Sequence, residues 1–409
     1  MTGATARTFR LGVIGLGGMG QHHAEAALDE QGVVLAAGCD VAPAQRERWG
    51  ERFGVPEDAL FESYEEMLDR ANLDVVIVST HATAHAAPTI AAARRGVHVF
   101  CEKPPAMDLG EADEMVAACR AAGVKLAINH IKRGSAGNDI ALRLIREGAI
   151  GTPYLVRGEC KGRRWAGSEL MEMGTHLFDW LRLVTNGIGA GDPLWLFSHL
   201  THEGRAAAIE DAVHSLRLPY KERDCGVVLG QRAFTALGFA NGLHAEVHFL
   251  QQPKGQDVGY GFDVVGTEGT LALRRSVHTE LFVQKSVHRG PVNGPAWERI
   301  VVDEGAGLRP IGTRLESHVA DGGAQRHACQ RRLLRDLLDA IVEKREPLSS
   351  GEDGLKALEL VMAVWESHRQ HAPVALPLAR RDHPVEAWLA DSDLPVPTAR
   401  EPVGVGASR

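Results

Sequence analysis

Three groups of residues have the types and spacing to do chemistry. The first is Gly15-Leu16-Gly17-Gly18-Met19-Gly20, a G-x-G-x-x-G turn that follows an apolar run and opens an amphipathic stretch. Gly15 permits the tight turn, Gly17 lets the main chain approach a pyrophosphate, and Gly20 lets helix and strand pack closely. The helix that follows offers unpaired N–H groups and a positive dipole end to phosphates. Asp40 lies twenty residues past Gly20, at the end of the next apolar run. A carboxylate there accepts hydrogen bonds from adenosine ribose hydroxyls and repels a 2′-phosphate. No Arg or Lys occurs in Val41-Ala42-Pro43-Ala44, so the pattern favours NAD over NADP. A glycine turn alone is common in α/β proteins; the strand before it and Asp40 after it give this one its meaning.

The second group is Glu102-Lys103-Pro104, just beyond an apolar run, where open α/β sheets bind their ligands. Read alone, a lysine before proline also fits a solvated loop. The third is Glu172 and His176, four apart on an expected helix and therefore on one face. Histidine trades a proton near neutral pH, and a carboxylate one turn away can orient the imidazole. The same pair also fits a solvent-facing helix. His81 and His85 have the spacing of a metal pair that His130 and His176 could complete. Each of these positions has a cofactor-site reading as well, and no metal is expected. Asn129-His130-Ile131-Lys132-Arg133 and Arg163-Arg164-Trp165 supply polar groups suited to a polyol and an aromatic face suited to a pyranose. Two arginines also suit an acidic sugar, and all of these residues equally fit a hinge or a surface.

These groups need elements to hold them. Apolar runs at 11–14, 33–39, 75–79, 97–101 and 125–129 read as buried strands, and 21–30, 42–53, 86–95 and 109–122 as helices. That alternation implies right-handed crossovers and a parallel sheet covered on both faces. After Gly151-Thr152-Pro153 the strands lengthen: 154–161, 227–230, 233–239, 243–250, 260–265, 270–273 and 298–303. Asn241-Gly242 suits a hairpin turn. Helices return at 325–344 and 352–371; 306–323 reads as a loop, and the chain after Leu378 as an extended arm.

Bulk properties narrow the field. A chain of 409 residues exceeds one ordinary core, so two domains are expected. A net charge of −8 disfavours nucleic-acid and membrane-surface partners, which want clustered Lys and Arg. Cys39, Cys101, Cys119, Cys160, Cys225 and Cys329 lie far apart with no Cys-x-x-Cys pair, which suits a reducing cytosol. Residues 9–14 lead straight into the glycine turn without an apolar signal core, and no run approaches a membrane span. A cytoplasmic location is expected.

The glycine turn, the segment ending in Cys101-Glu102-Lys103-Pro104, and Met171-Glu172-Met173-Gly174-Thr175-His176-Leu177-Phe178-Asp179 together resemble the Gfo/Idh/MocA oxidoreductases, of the glucose–fructose oxidoreductase and inositol dehydrogenase type. The resemblance is continuous to about residue 180 and looser to about 378. It implies an α/β protein with an N-terminal Rossmann dinucleotide-binding domain over 1–130. An α/β domain with a large open, mostly antiparallel sheet would cover 131–378, its last helix packing back on the first domain. An arm over 379–409 follows. It also implies NAD along Gly15, Gly17, Gly18, Met19, Gly20, Asp40, Glu102 and Lys103. Thr80 and His85 match a family run lying along the cofactor, with His81 in place of its proline. Lys103 would meet the reacting hydroxyl or carbonyl, and His176 would act as acid and base. Glu172 replaces the usual aspartate, with His176, the substrate or neither as its partner; Asp179 would serve packing or a cap. Substrate contacts are expected from Asn129, His130, Lys132, Arg163, Trp165 and Thr175.

The activity this implies is hydride transfer between nicotinamide and a sugar, inositol or sugar derivative. Two other functions use the same fold. One is a glycosidase or lyase that recycles NAD through a transient 3-keto sugar; the other is a non-catalytic NAD-binding regulator, against which Lys103 and His176 both speak. A homo-oligomer, dimer or tetramer, is expected because the family's open sheet pairs with its twin.

Overall fold

The computed structural model describes residues 8–162, 164–218, 224–251, 260–275, 279–285, 297–300 and 322–399. Its first sheet grows from short runs of β-branched and apolar residues. Val75–Val78 is apolar at every position and fully buried, as a strand covered on both faces requires. The chain runs β1 (Phe9–Ile14), α1 (Gly18–Leu28), β2 (Val33–Cys39), α2 (Pro43–Phe53), β3 (Leu60–Phe61), α3 (Tyr64–Arg70), β4 (Val75–Val78), α4 (Ala86–Arg94), β5 (His98–Cys101), α5 (Leu109–Ala122) and β6 (Leu126–Ile128). All six strands are parallel, in the order β3-β2-β1-β4-β5-β6. The ends of these helices are written in the sequence. Pro43 opens α2 and Gly54 closes it in the left-handed region at φ 69°. Asp108 caps α5 by accepting from the Glu111 amide, and Gly123 ends it, also at φ 69°.

The second half contains α6 (Ala136–Arg146), β7 (Pro153–Glu159), α7 (Ala166–Glu169), α8 (Thr175–Gly187), β8 (Trp195–His202), β9 (Arg205–Ala206), β10 (Val213–His214), β11 (Val227–Val228), β12 (Arg232–Gly238), β13 (His244–Phe249), β14 (Gly261–Gly266), β15 (Thr270–Arg275), β16 (Thr279–Gln284) and β17 (Glu298–Ile300). Then come α9 (Gly322–Glu343), α10 (Gly351–Gln370), β18 (Val374–Ala375) and α11 (Pro384–Asp391). Ten strands form one sheet in the order β17-β16-β15-β14-β7-β13-β12-β8-β18, with β9 on β8. Only the β7–β13 pairing is parallel; the others are antiparallel. Helices α8 and α10 pack on this sheet, and α10 also lies against α5 and β6 of the first one. Helix α9 packs on α1 and on the turn at 131–134. The site therefore lies where two sheets share helices. No described helix is long and apolar enough to cross a membrane.

The structure corrects several expectations. The arm after Leu378 contains α11, whose first residue is Pro384; at a helix's first position the missing N–H costs nothing. The strand at 227–230 shortens to Val227–Val228. Of the loop at 306–323, residues 306–321 lie outside the described residues and 322–323 open α9; residues 301–303 of the last strand also lie outside. The helix carrying Glu172 is not α-helical there: Leu170–Gly174 forms a π turn between α7 and α8.

Candidate functional site

β1 lies between β2 and β4, so the connections leaving it and β4 run to opposite sides and open a crevice at the strands' C-terminal ends. The glycine turn occupies this crevice. Gly15 has φ 88°, and a Cβ there would come within 2.8 Å of the Ser79 and Thr80 main chain. A Cβ on Gly20 would overlap the Gly15 carbonyl oxygen. Nothing lies within 4 Å of a Cβ built on Gly17 or Gly18. The turn is thus closed on its protein side and open above the N-terminus of α1, where Gly17 provides no side-chain cap. That shape fits a pyrophosphate resting on main-chain N–H groups, with half-buried Met19 beside it.

Asp40 borders the same opening. Its carboxylate accepts from the Leu16 amide at 2.9 Å and from the Ala42 amide at 2.9 Å, tying the glycine turn to the end of β2. Arg46, which sequence reasoning missed, donates to the Asp40 carbonyl at 2.7 Å and lies 3.7 Å from Glu62. Its guanidinium is thereby held on the main chain at the strand end. Thr80 donates its hydroxyl to the Ala84 carbonyl at 2.9 Å, and His81 stands exposed. His85 is buried, its ring nitrogens 2.8 Å from the Pro104 carbonyl and 3.3 Å from the Thr80 carbonyl. Both neighbours are acceptors, so the single N–H of a neutral ring can serve only one of them. Burial, against those carbonyls, holds its pKa below the ordinary histidine value.

Glu102 and Lys103 follow β5. The Glu102 carboxylate accepts from His23 Nε2 at 2.8 Å, from Asn129 Nδ2 at 2.7 Å and from the Lys103 amide at 3.2 Å. Lys103 Nζ crosses to the second half of the chain, donating to the Glu172 carbonyl at 2.7 Å and lying 3.7 Å from its carboxylate. The same carboxylate is 3.5 Å from Arg164 and accepts from the Cys225 thiol at 3.7 Å. Glu172 does not hold His176 Nδ1, which has no hydrogen-bond partner. The reason is electrostatic: a carboxylate near an ammonium and a guanidinium is drawn to them more strongly than to a neutral ring.

His176, 8% exposed, begins α8 behind the π turn, its ring edge-to-face with His130 at 5.8 Å. Burial first, then the charges of Lys103, His130, Lys132 and Lys161, hold its pKa well below the ordinary value, so the ring is neutral near pH 7. His130 is fully buried; Nδ1 lies 3.4 Å from Asp179, and neither ring nitrogen makes a hydrogen bond among the described residues. Asn129 Oδ1 and Thr175 Oγ1 are likewise buried without partners. Buried polar atoms are normally satisfied, so orphans gathered on two adjacent pairs of residues mark where a polar ligand belongs.

The Lys132 ammonium sits over the rings of Tyr260, at 4.7 Å, and Trp180, at 5.3 Å. Trp165 stands edge-to-face with His202 of β8 at 5.0 Å. Arg163 lies outside the described residues. Asp179, expected to serve packing or a cap, is a fully buried carboxylate gripped by Arg133 Nε at 2.8 and 2.9 Å. His23 and this Asp179–Arg133 pair also escaped the sequence reading. For His23 the available signal was a polar residue on the inward face of α1, three positions after Gly20.

A six-stranded parallel sheet with a glycine cradle at its switch point, and a lysine and a neutral histidine beyond its strand ends, defines a dinucleotide-dependent oxidoreductase. Comparison with known proteins agrees. Residues 9–130 match the model of the oxidoreductase family's NAD-binding Rossmann fold, and 221–376 match its C-terminal alpha/beta domain. The chain belongs to the Gfo/Idh/MocA family and is an NAD-binding oxidoreductase. It is 27% identical to D-apiose dehydrogenase of Paraburkholderia graminis over 390 residues, covering 92% of each chain. With 1,5-anhydro-D-fructose reductase of Ensifer adhaerens it shares 31% identity over 319 residues, covering 74% of this chain and 79% of the relative. In fold it resembles levoglucosan dehydrogenase solved with NADH and levoglucosan, at TM-score 0.70 and 22% identity over 91% of this chain and all of that one.

Proposed function

We propose that the protein transfers a hydride between NAD and a hydroxyl or ketone carbon of a sugar or polyol, with His176 exchanging the hydroxyl proton and Lys103 steadying the reacting oxygen. The observation that carries this reading is the buried, neutral His176 with an unpartnered ring nitrogen, close enough to the Lys103 ammonium for that charge to help lower its pKa. A neutral imidazole can take a proton; a protonated one cannot. Lys103 offers a fixed positive charge to an oxygen that becomes more negative as the proton leaves. Glu172 holds that ammonium through its carbonyl and carboxylate. Asn129 Oδ1, His130 Nε2 and Thr175 Oγ1 supply partners for the further hydroxyls of a polyol. The names of the relatives, a D-apiose dehydrogenase and an anhydrofructose reductase, support a polyhydroxylated substrate.

Gly15, Gly17, Gly18, Met19, Gly20 and Asp40 would hold the dinucleotide. When bound, NAD supplies the hydride acceptor in one direction and NADH the donor in the other. In oxidation the hydroxyl proton moves to His176; in reduction His176 returns it. The test is absorbance at 340 nm with NAD⁺ and a panel of aldoses, inositols, uronic acids and glycosides, with product analysis. NADH formed in step with one polyhydroxylated substrate is expected. Substrate consumed without net NADH would contradict this reading.

A further inference from the structure

We propose that His23 is a positioning residue for the reaction: through Glu102 it fixes the turn that carries Lys103 and the side chain of Asn129. His23 lies in the second turn of α1, the helix whose N-terminus forms the dinucleotide cradle. It is 2% exposed and meets Phe100 of β5 edge-on at 5.3 Å. A carboxylate can only accept, so Nε2 carries the proton in the 2.8 Å bond to Glu102. The same oxygen takes the Asn129 amide at 2.7 Å, and the other takes the Lys103 N–H at 3.2 Å. One carboxylate thus gathers α1, the turn after β5 and the end of β6.

The charge of that carboxylate depends on its partners. Glu102 is 5% exposed. Burial pushes its carboxyl up; the hydrogen bond and charge of His23, then Lys103 and Asn129, more than reverse this and bring it down to about 2. Of the groups that lower it, His23 acts most strongly. If the carboxyl were protonated, it would lose acceptor strength toward both the Lys103 turn and Asn129. On the other side of Lys103, His85 holds the Pro104 carbonyl. The lysine is therefore bracketed by two histidine contacts, of which only the one from α1 runs through a charged group.

This inference rests on the hydride-transfer role of Lys103 proposed above, and its test separates the two. His23→Leu, His23→Gln and Glu102→Gln are compared with wild type by NADH binding (fluorescence), kcat against pH, and infrared titration of ¹³C-labelled glutamate carboxyls. Loss of a charge-assisted hydrogen bond predicts a kcat about tenfold lower or more in His23→Leu, with the Kd for NADH within about twofold of wild type. A new acidic limb should enter its kcat profile at about pH 5–7, where a buried carboxyl deprived of its strongest hydrogen bond titrates. His23→Gln keeps a donor and should recover most of the lost kcat. Glu102→Gln should lose kcat without the new limb. The infrared titration should show one glutamate rising by roughly two pH units or more in His23→Leu. If His23→Leu does not fold, His23→Met, which also lacks a donor, carries the same readouts with the same acidic limb and raised glutamate expected. A wild-type pH profile in His23→Leu, or no shifted glutamate, overturns the role of His23. A wild type that oxidises no sugar overturns only the role of Lys103, because the infrared result still decides whether His23 governs Glu102.

Discussion

Lys103 and His176 feel each other's charge but are held in opposite ways. Lys103 is fixed by charge and by main-chain bonds, whereas His176 is fixed by packing and left with a bare nitrogen. Asp40 shows a third mode, a half-buried carboxylate whose two oxygens each take a main-chain amide. Asp40→Ala should free the Leu16 and Ala42 amides and remove the carboxylate proposed to receive the ribose hydroxyls. At about 1.5–3 kcal/mol for hydrogen bonds to a charged group, the Kd for NADH should rise at least about tenfold. Fluorescence titration reads this directly, and an unchanged Kd would remove Asp40 from the cofactor site. At this scale the sequence was legible where one residue has one use. Gly15 and Gly20 leave no room for a side chain, and Asp40 directly follows the last residue of β2. Glu172 was less legible, because its partners, Lys103 from the first half of the chain and Arg164 from the turn before α7, meet it only in the fold.

At the level of elements, the turn at 131–134 is pinned to α8 and α10 by a buried ionic cluster. Arg133 binds Asp179 on α8, Asp353 on α10 at 3.0 Å and the Leu348 carbonyl at 2.9 Å; Arg182 adds a second contact to Asp353 at 3.2 Å. This cluster backs His130, which in turn abuts His176. Removing one partner of such a pair strands a buried charge, so Arg133→Met should cost about 3–5 kcal/mol. Urea unfolding checks the value, and a loss below about 1 kcal/mol would show the cluster to be dispensable. The strands and helices with uniform apolar runs or clear caps, such as β4, α2 and α5, could be read from sequence. The π turn at Leu170–Gly174 could not, since Leu-Met-Glu-Met-Gly fits an α-helix and only the packing around Lys103 and Glu172 distinguishes them. Helix α11 hid in a proline-rich tail because it is only eight residues long and the two apolar residues it buries, Val385 and Leu389, acquire meaning only against the body of the protein.

Over the whole molecule, acid should loosen the fold through buried neutral histidines. Burial, with Asp382 opposing it weakly, brings His383 down to about 4 from an ordinary value of 6.5; the ring lies 5.0 Å from Trp365. Because its folded pKa is depressed, the unfolded chain binds more protons between those values. Its contribution is full above about 6.5 and is lost as pH falls toward 4, by about 3 kcal/mol over that interval. His176 acts in the same sense. Thermal melts from pH 7 to 4.5 should fall, and His383→Leu should flatten that fall; a parallel decline in both would contradict the assignment. The central claim joins both halves of the chain in one reaction, with Lys103 from the first and His176 from the second. Its most direct test is the single-turnover rate of NADH formation in Lys103→Met and His176→Asn, at saturating substrate and with NADH affinity measured alongside. Each variant should bind NADH like wild type and form it about 10²–10⁴-fold more slowly. Wild-type rates in either would contradict the claim and move the chemistry to other residues.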